Sequence, residues 1–134
     1  MTQTTLPEGM DFPLEGVRVL DLSRVFAGPL CGQVLADFGA EVIKVEHPLR
    51  GDDTRDWGMR IGKTETTYYN SMNRNKRSIT LDLQSAEGVQ IIYELLPQFD
   101  VVIHNFKHGG ADKLGLGYEK LKSIKPDLIY CSIA

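Results

Sequence analysis

The sequence is poor in the residues that would answer functional questions quickly. It holds two cysteines, one tryptophan and three histidines in 134 residues. Cys31 and Cys131 lie far apart, and neither sits in the Cys/His spacing of a zinc site, so reduced, buried thiols are expected and no metal. Basic charge is also scarce. With a formal charge of −3 the chain lacks the basic face of a domain that wraps DNA or RNA. No apolar run approaches the ~18 residues of a membrane helix. "MTQTTLPEGMDFPLEG" has neither the basic start nor the apolar stretch of a secretion signal. These absences lead to the expectation of a soluble cytoplasmic protein with no nucleic-acid or membrane partner. There is no internal repeat, heptad pattern or low-complexity segment. What remains is an apolar content of 42% in a chain long enough for one domain or part of one.

Residues 1–13 read as a polar tail, and ordered structure is expected over 14–134. "VRVLDLS" (Val17 to Ser23) is the β-branched and Leu-rich run of a strand buried on both faces. Pro29 then marks a helix start, Leu30, Val34, Leu35 and Phe38 follow at helical spacing, Gly39 is a stop, and Val42 to Val45 form a second strand. A Gly- and charge-rich loop runs from His47 to about Lys63. After it come a short helix in "ETTYYNSMN", a strand in "SITLDL", and a helix opened by Ser85 in "SAEGVQIIYELLPQF". A strand in "DVVIHNF", a helix from Tyr118 to Ile124 and a last strand from Leu128 to Ala134 complete the pattern. Strands alternating with helices predict an α/β fold, a Rossmann-like parallel sheet with crossover helices. The last strand stops without a turn, helix or polar tail, so the chain reads as cut short.

The basic cluster in "NRNKRSITLDL" (Asn73 to Leu83) raises the functional question. Arg74, Lys76 and Arg77 would suit adjacent phosphates of a nucleotide-like ligand, because Arg pairs bidentately with phosphate and Lys acts as a point charge. A solvated turn explains the same run. As a nucleic-acid contact the cluster is opposed by the acidic balance of the chain. Tyr68 and Tyr69, adjacent on a helix, would also point about 100° apart, so at most one lines a stacking platform. A dinucleotide fold is suggested by strand, turn, helix, strand and then Glu46 at the ribose-holding position. The fingerprint fails, however, since Gly28, Gly32 and Gly39 do not make GxGxxG and Pro29 removes an amide.

Five segments decide among these readings: "PLEGVRVLDLSRVFAGPLCGQVLADFGAEVIKVE", "GDDTRDWG", "NRNKRSITLDL", "VVIHNFKHGGADKLGLGYE" and "IYCSIA". In this order and spacing, from about Pro13 to Ala134, they resemble the family III CoA-transferases of the CaiB/BaiF type. That group includes formyl-CoA transferase, carnitine CoA-transferase and α-methylacyl-CoA racemase. "GDDTRDWG" and "YYNSMNRNKRS" resemble the succinyl-CoA-dependent dicarboxylate transferases within it. The resemblance implies the N-terminal part of a large CoA-transferase domain, with coenzyme A, carried as acyl-CoA, as the ligand. It further implies a carboxylic acid as acceptor, a dicarboxylic acid among the candidates, no metal, and a homodimer for the full-length enzyme.

Carried over position by position, the resemblance places Phe26 and Ala27 in a turn that approaches CoA, and Arg74 and Lys76 at its nucleotide end. Leu81, Asp82, Leu83 and Gln84 become a wall of the pocket, Asn105, Phe106 and Lys107 take the places of the family's "ENFRPG" motif, and Lys113 stands where a basic residue often follows. Departures from the family pattern are His47, where an Arg can contact a CoA phosphate, His104 for Glu, and His108 for Pro. His104 has two readings, a core or capping residue and a ligand contact. The chemistry implied is attack by an Asp on the acyl-CoA thioester to give a mixed anhydride and free CoA. CoA then forms a thioester on that Asp, and the acceptor carboxylate takes the CoA over. No Asp here occupies that motif, so the chain is expected to bind CoA weakly and not to turn over. Asp52, Asp53 and Asp56 read as structure of a mobile charged loop, with Arg55 and Trp57 near the acyl or pantetheine end. Racemase-type proton transfer and a non-catalytic CoA- or nucleotide-binding module are the alternatives.

Overall fold

The computed structural model describes residue 9 and residues 11–133. Most of the expected tail, and Ala134 at the end of the expected last strand, lie outside the described residues. In chain order the elements are β1 (Arg18–Asp21), α1 (Ala27–Asp37), β2 (Glu41–Glu46), α2 (Thr67–Asn73), β3 (Lys76–Thr80), α3 (Ala86–Leu95), β4 (Val101–His104), α4 (Gly110–Lys113), α5 (Tyr118–Ile124) and β5 (Ile129–Ser132). The strands form one sheet in the order β3-β2-β1-β4-β5, and every neighbouring pair is parallel. The Rossmann-like sheet expected from the sequence is therefore present. The order reverses between β1 and β4, and ligands of open α/β sheets bind above the strand C-termini at such a point.

Each element follows from local chemistry. β1 and β4 are central, and Val19, Leu20, Val102 and Ile103 are fully buried. Gly39 ends the turn after α1 with a φ of +100°, a conformation that a Cβ disfavours. Thr66 caps α2 by accepting from Tyr69 N–H at 3.1 Å, and Ser85 caps α3 by accepting from Gly88 N–H at 3.0 Å, each satisfying an otherwise orphaned helix donor. Pro97 ends the regular α-helix two residues earlier, and the chain continues as a 3-10 turn over Leu96–Gln98. Helix α4 was not expected, since it is a single turn entered through Gly109 in a left-handed conformation, too short for any periodicity to mark it.

Two apolar layers cover the sheet. On one face Leu20, Leu22, Val45 and Val102 pack with Ile92 of α3, Leu96, Leu116 and Leu121 of α5. On the other, Val19, Val42 and Ile103 pack with Ala36 and Ala40 and with the half-buried Cys31 and Cys131. Both thiols are free. Burial, then Cys131 and Asp21, push the Cys31 thiol up, away from nucleophilic chemistry. No helix among the described residues is long and apolar enough to cross a membrane.

Strand β3 begins two residues earlier than expected, inside the basic cluster, because Lys76 pairs in register with Val42 and Ser78 with Lys44. Alternation then puts Lys76, Ser78 and Thr80 on the face that carries Lys44 and Glu46. Leu81 to Gln84 consequently fall beyond the strand end, above the sheet.

Candidate functional site

The C-terminal ends of β1, β2 and β3 and the segment after β4 surround a small cleft open to solvent. Leu81, Asp82, Leu83 and Gln84 form one wall, Phe106 and Leu114 a second, and Leu22 with Val45 the floor. Arg24, His47 and Arg50 stand at its rim. An apolar floor with a few cations at the edge suits a ligand with an apolar or aromatic body and anionic groups.

Of the expected ligand contacts, His47, Leu81, Asp82, Leu83, Gln84 and Phe106 meet in this cleft. Leu81 is held there by its amide, which donates to Glu46 O at 3.0 Å. Asp82 turns the chain by accepting from Gln84 N–H at 2.9 Å. His47 Nδ1 accepts from Leu49 N–H at 3.2 Å, leaving Nε2 for a ligand. Asn105, Phe106 and Lys107 also line a second, wider hollow with His104, Tyr118 and Tyr130. Lys113 borders a shallow groove beside Leu83 and Gln84. Phe26 and Ala27 open α1, exposed and without a side-chain cap.

Arg74 and Lys76 do not join the cleft and are engaged elsewhere. The ammonium of Lys76 is buried and gives its three hydrogens to Asp21 Oδ2 at 2.8 Å, Pro29 O at 2.7 Å and Asn73 Oδ1 at 3.1 Å. It has no donor left for a phosphate. Burial lowers its pKa, and Asp21 opposes that. Arg74 is bound bidentately to Asp37 on the outer surface, at the start of β3 and not at its end. Arg77 pairs with Glu41. Beta-strand alternation and three separate carboxylates thus divide the cluster.

Beneath the cleft lies a buried polar network that no sequence motif announced. Lys44 and Asp52 form an ion pair at 2.9 Å with side chains 1% and 0% exposed. Lys44 also donates to Ser23 O at 2.9 Å. Asp52 accepts from Thr54 N–H at 3.0 Å and from Val25 N–H at 3.2 Å. Burial would raise the Asp52 pKa, but the Lys44 charge and the hydrogen bonds from Lys44 and Thr54 outweigh it and keep the carboxylate ionised. The loop read as mobile is therefore pinned to the sheet.

Glu46 is the second centre of this network. It accepts from Arg55 Nε at 2.6 Å and Nη2 at 2.7 Å, from Tyr69 Oη at 2.7 Å, from Ser78 Oγ at 2.8 Å and from the Asp52 amide at 2.9 Å. Burial works against its charge, yet these donors carry its pKa down to about 2. A carboxylate so saturated cannot also hold a ribose, which closes the dinucleotide reading. Arg55 stacks 3.8 Å above the Tyr69 ring and Trp57 meets Tyr68 edge-on, so both serve the loop's own packing. His104 is a buried core histidine: Nδ1 accepts from Phe106 N–H at 3.2 Å and the ring stacks on Phe106. Burial lowers its pKa, opposed by Asp112. Its Nδ1 is occupied, while its ring borders the wider hollow.

The model of CoA-transferase family III matches residues 14–134. The chain belongs to CoA-transferase family III. It is 54% identical over 121 residues to succinyl-CoA:glutarate CoA-transferase of Homo sapiens, a match covering 90% of this chain and 28% of that protein. To succinyl-CoA--D-citramalate CoA-transferase of Chloroflexus aurantiacus it is 48% identical over 122 residues, covering 91% and 30% respectively. The crystal structure of a CAIB/BAIF family protein from Brucella suis superposes with a TM-score of 0.87 at 51% identity, covering 93% of this chain and 34% of that one. The chain thus spans about a third of the length of the relatives it matches. CoA, carried as acyl-CoA, is the substrate of such transferases; the carboxylates that line the cleft are Asp82 and Glu46, the latter paired with Arg55.

Arg24 and Arg50 were missed as rim cations. Neither enters an ion pair among the described residues. Arg24 directly precedes the "VFAGP" turn, and that neighbourhood is a usable signal. Arg50 offered none, because only the fold of the loop after β2 brings it round. Lys44 did offer one: a charged residue within the apolar run "VIKVE" is tolerated only when paired.

Proposed function

We propose that this chain supplies part of the CoA site of an enzyme that transfers CoA between an acyl-CoA donor and a carboxylic acid, with a dicarboxylic acid as acceptor. The observation that carries the reading is the cleft itself. Segments expected to approach CoA from three separate motifs, after β2, β3 and β4, converge there. In the whole protein the aspartyl nucleophile is contributed from outside these residues, and this chain binds and orients. Apolar walls from Leu81, Leu83 and Phe106 take the adenine or pantetheine body, and Arg24, Arg50 and His47 face the phosphates. Phe26, Ala27, Asn105, Lys107 and Lys113 stand along the remaining path of the ligand. The relatives that act on dicarboxylates support the acceptor class; a homodimeric whole protein and a cytoplasmic setting are part of the same proposal. No metal is needed for this chemistry.

The test is calorimetric titration of the chain with CoA, beside an assay of CoA transfer from succinyl-CoA to dicarboxylic acids by the whole protein. Saturable binding that Leu83→Arg abolishes is expected, with transfer only in the whole protein. Unchanged affinity in Leu83→Arg would place the ligand elsewhere, and turnover by the chain alone would overturn the assignment of the nucleophile.

A further inference from the structure

The turn between β1 and α1 is held by side chains from four separate segments. Ser23 N–H donates to Asp21 Oδ1 at 2.9 Å, and Ser23 O accepts from Lys44 Nζ at 2.9 Å. Arg24 N–H donates to Asn105 Oδ1 at 2.9 Å and Arg24 O accepts from Asn105 Nδ2 at 2.7 Å. Val25 N–H donates to the Asp52 carboxylate at 3.2 Å. Val25 has a φ of +71°, a left-handed conformation that is a genuine outlier for a β-branched residue. A backbone state of this kind costs about 1–3 kcal/mol and persists only where the surroundings over-determine it. Ser23 packs closely against the start of α1 at Gly28, where any Cβ would collide with Ser23 Cβ.

Asp52 accepts from Thr54 N–H and Thr54 Oγ1 within its own loop and also reaches across to the strained Val25. It does not line the cleft. A buried ion pair is on balance a weak source of stability, because desolvation of both charges offsets their attraction. What the Lys44–Asp52 pair accomplishes locally is geometric: its two charged groups bind the carbonyl of Ser23 and the amide of Val25, on either side of Arg24. Arg24 is one of the rim cations of the cleft.

We propose that Asp52 is a positioning residue for the CoA cleft. Acting with Lys44, it holds Val25 in its left-handed conformation and so keeps Arg24 and the start of α1 where the anionic end of the ligand is received. This rests on the CoA reading of the cleft. Because Asp52 touches the turn and not the ligand, its removal acts on affinity through the conformation of Arg24, and ligand binding must in turn stabilise the contact at Val25.

The experiment compares the whole protein with its Lys44→Met/Asp52→Leu variant, in which apolar side chains replace both charges. The expected result is an unfolding midpoint within about 3 °C of the parent together with a Kd for CoA raised about tenfold or more. In addition, CoA at saturation slows hydrogen exchange at the Val25 amide of the parent. A variant that is folded and binds CoA as the parent does overturns the proposal. Should the variant not fold, the parent's Val25 amide decides: exchange unaltered by bound CoA overturns the proposal, and slowed exchange supports it. Failure of the parent itself to bind CoA refutes the cleft assignment, a result separate from either.

Discussion

The side-chain amide of Asn105 grips the backbone of Arg24 at both ends, accepting from its N–H at 2.9 Å and donating to its carbonyl at 2.7 Å across 81 residues of chain. The segment after β4 is thereby tied to the turn after β1, at the point where the strand order reverses. Asn105→Ala is expected to lose about 1–3 kcal/mol, the worth of two hydrogen bonds whose partners become re-exposed or unpaired. CoA affinity should fall with it. Asn105→Asp, which retains the acceptor and loses the donor, should fall between the two in chemical denaturation.

Lys76 and Arg74 are two residues apart and should behave oppositely. Lys76→Met leaves Asp21 charged and buried, so a loss of about 3–5 kcal/mol is expected. Arg74→Ala removes an exposed pair and should leave both the denaturation midpoint and CoA affinity unchanged. Urea titrations and calorimetry on the two variants measure the contrast, and a large loss of CoA affinity in folded Arg74→Ala would restore it as a ligand contact.

Glu46 gives the protein an acid limit. Its ordinary pKa of 4.5 falls to about 2 on folding, so the folded state binds the proton less well than the unfolded state. The resulting stabilisation is fully present above about pH 5 and is lost as the pH falls from there toward 2. Its size is about 3 kcal/mol. Glu46→Gln should lower stability near neutrality, and the gap from the parent should close as the pH approaches 2. A gap independent of pH would contradict the assignment.

The fold was legible because its signals are local. Apolar β-branched runs, the cap Ser85 and the stop at Gly39 each act within a few residues of themselves, and the parallel order follows from strands separated by helices. Leu81 to Gln84 and Phe106 come together because their motifs coincide with strand ends. The cluster at Arg74 to Arg77 does not join them, because charge along a chain does not reveal which face of a strand each residue takes. Asp21, Asp37 and Glu41, which claim those cations, lie 36 to 55 residues away. Lys44 in its apolar run signals the need for a partner, but that the partner is Asp52, and that Arg55 pairs with Glu46, is settled only when the loop closes on the sheet.

Arg24 and Arg50 carry the electrostatic part of the cleft assignment. Replacing either with Ala should weaken CoA binding about threefold or more at low salt, and the difference should shrink as ionic strength rises, since exposed charges are screened within a Debye length of about 10 Å at 0.1 M. Titrations at two salt concentrations test this.

The central claim, that the cleft above the C-terminal strand ends receives CoA, is tested most directly by following backbone amide chemical shifts during titration of the chain with CoA, a measurement that registers weak binding. Saturating shifts at Arg24, His47, Leu81 to Gln84 and Phe106, with Arg74 and Arg77 unmoved, are the predicted result. Shifts centred on Arg74 to Arg77, or none at any CoA concentration, would contradict it.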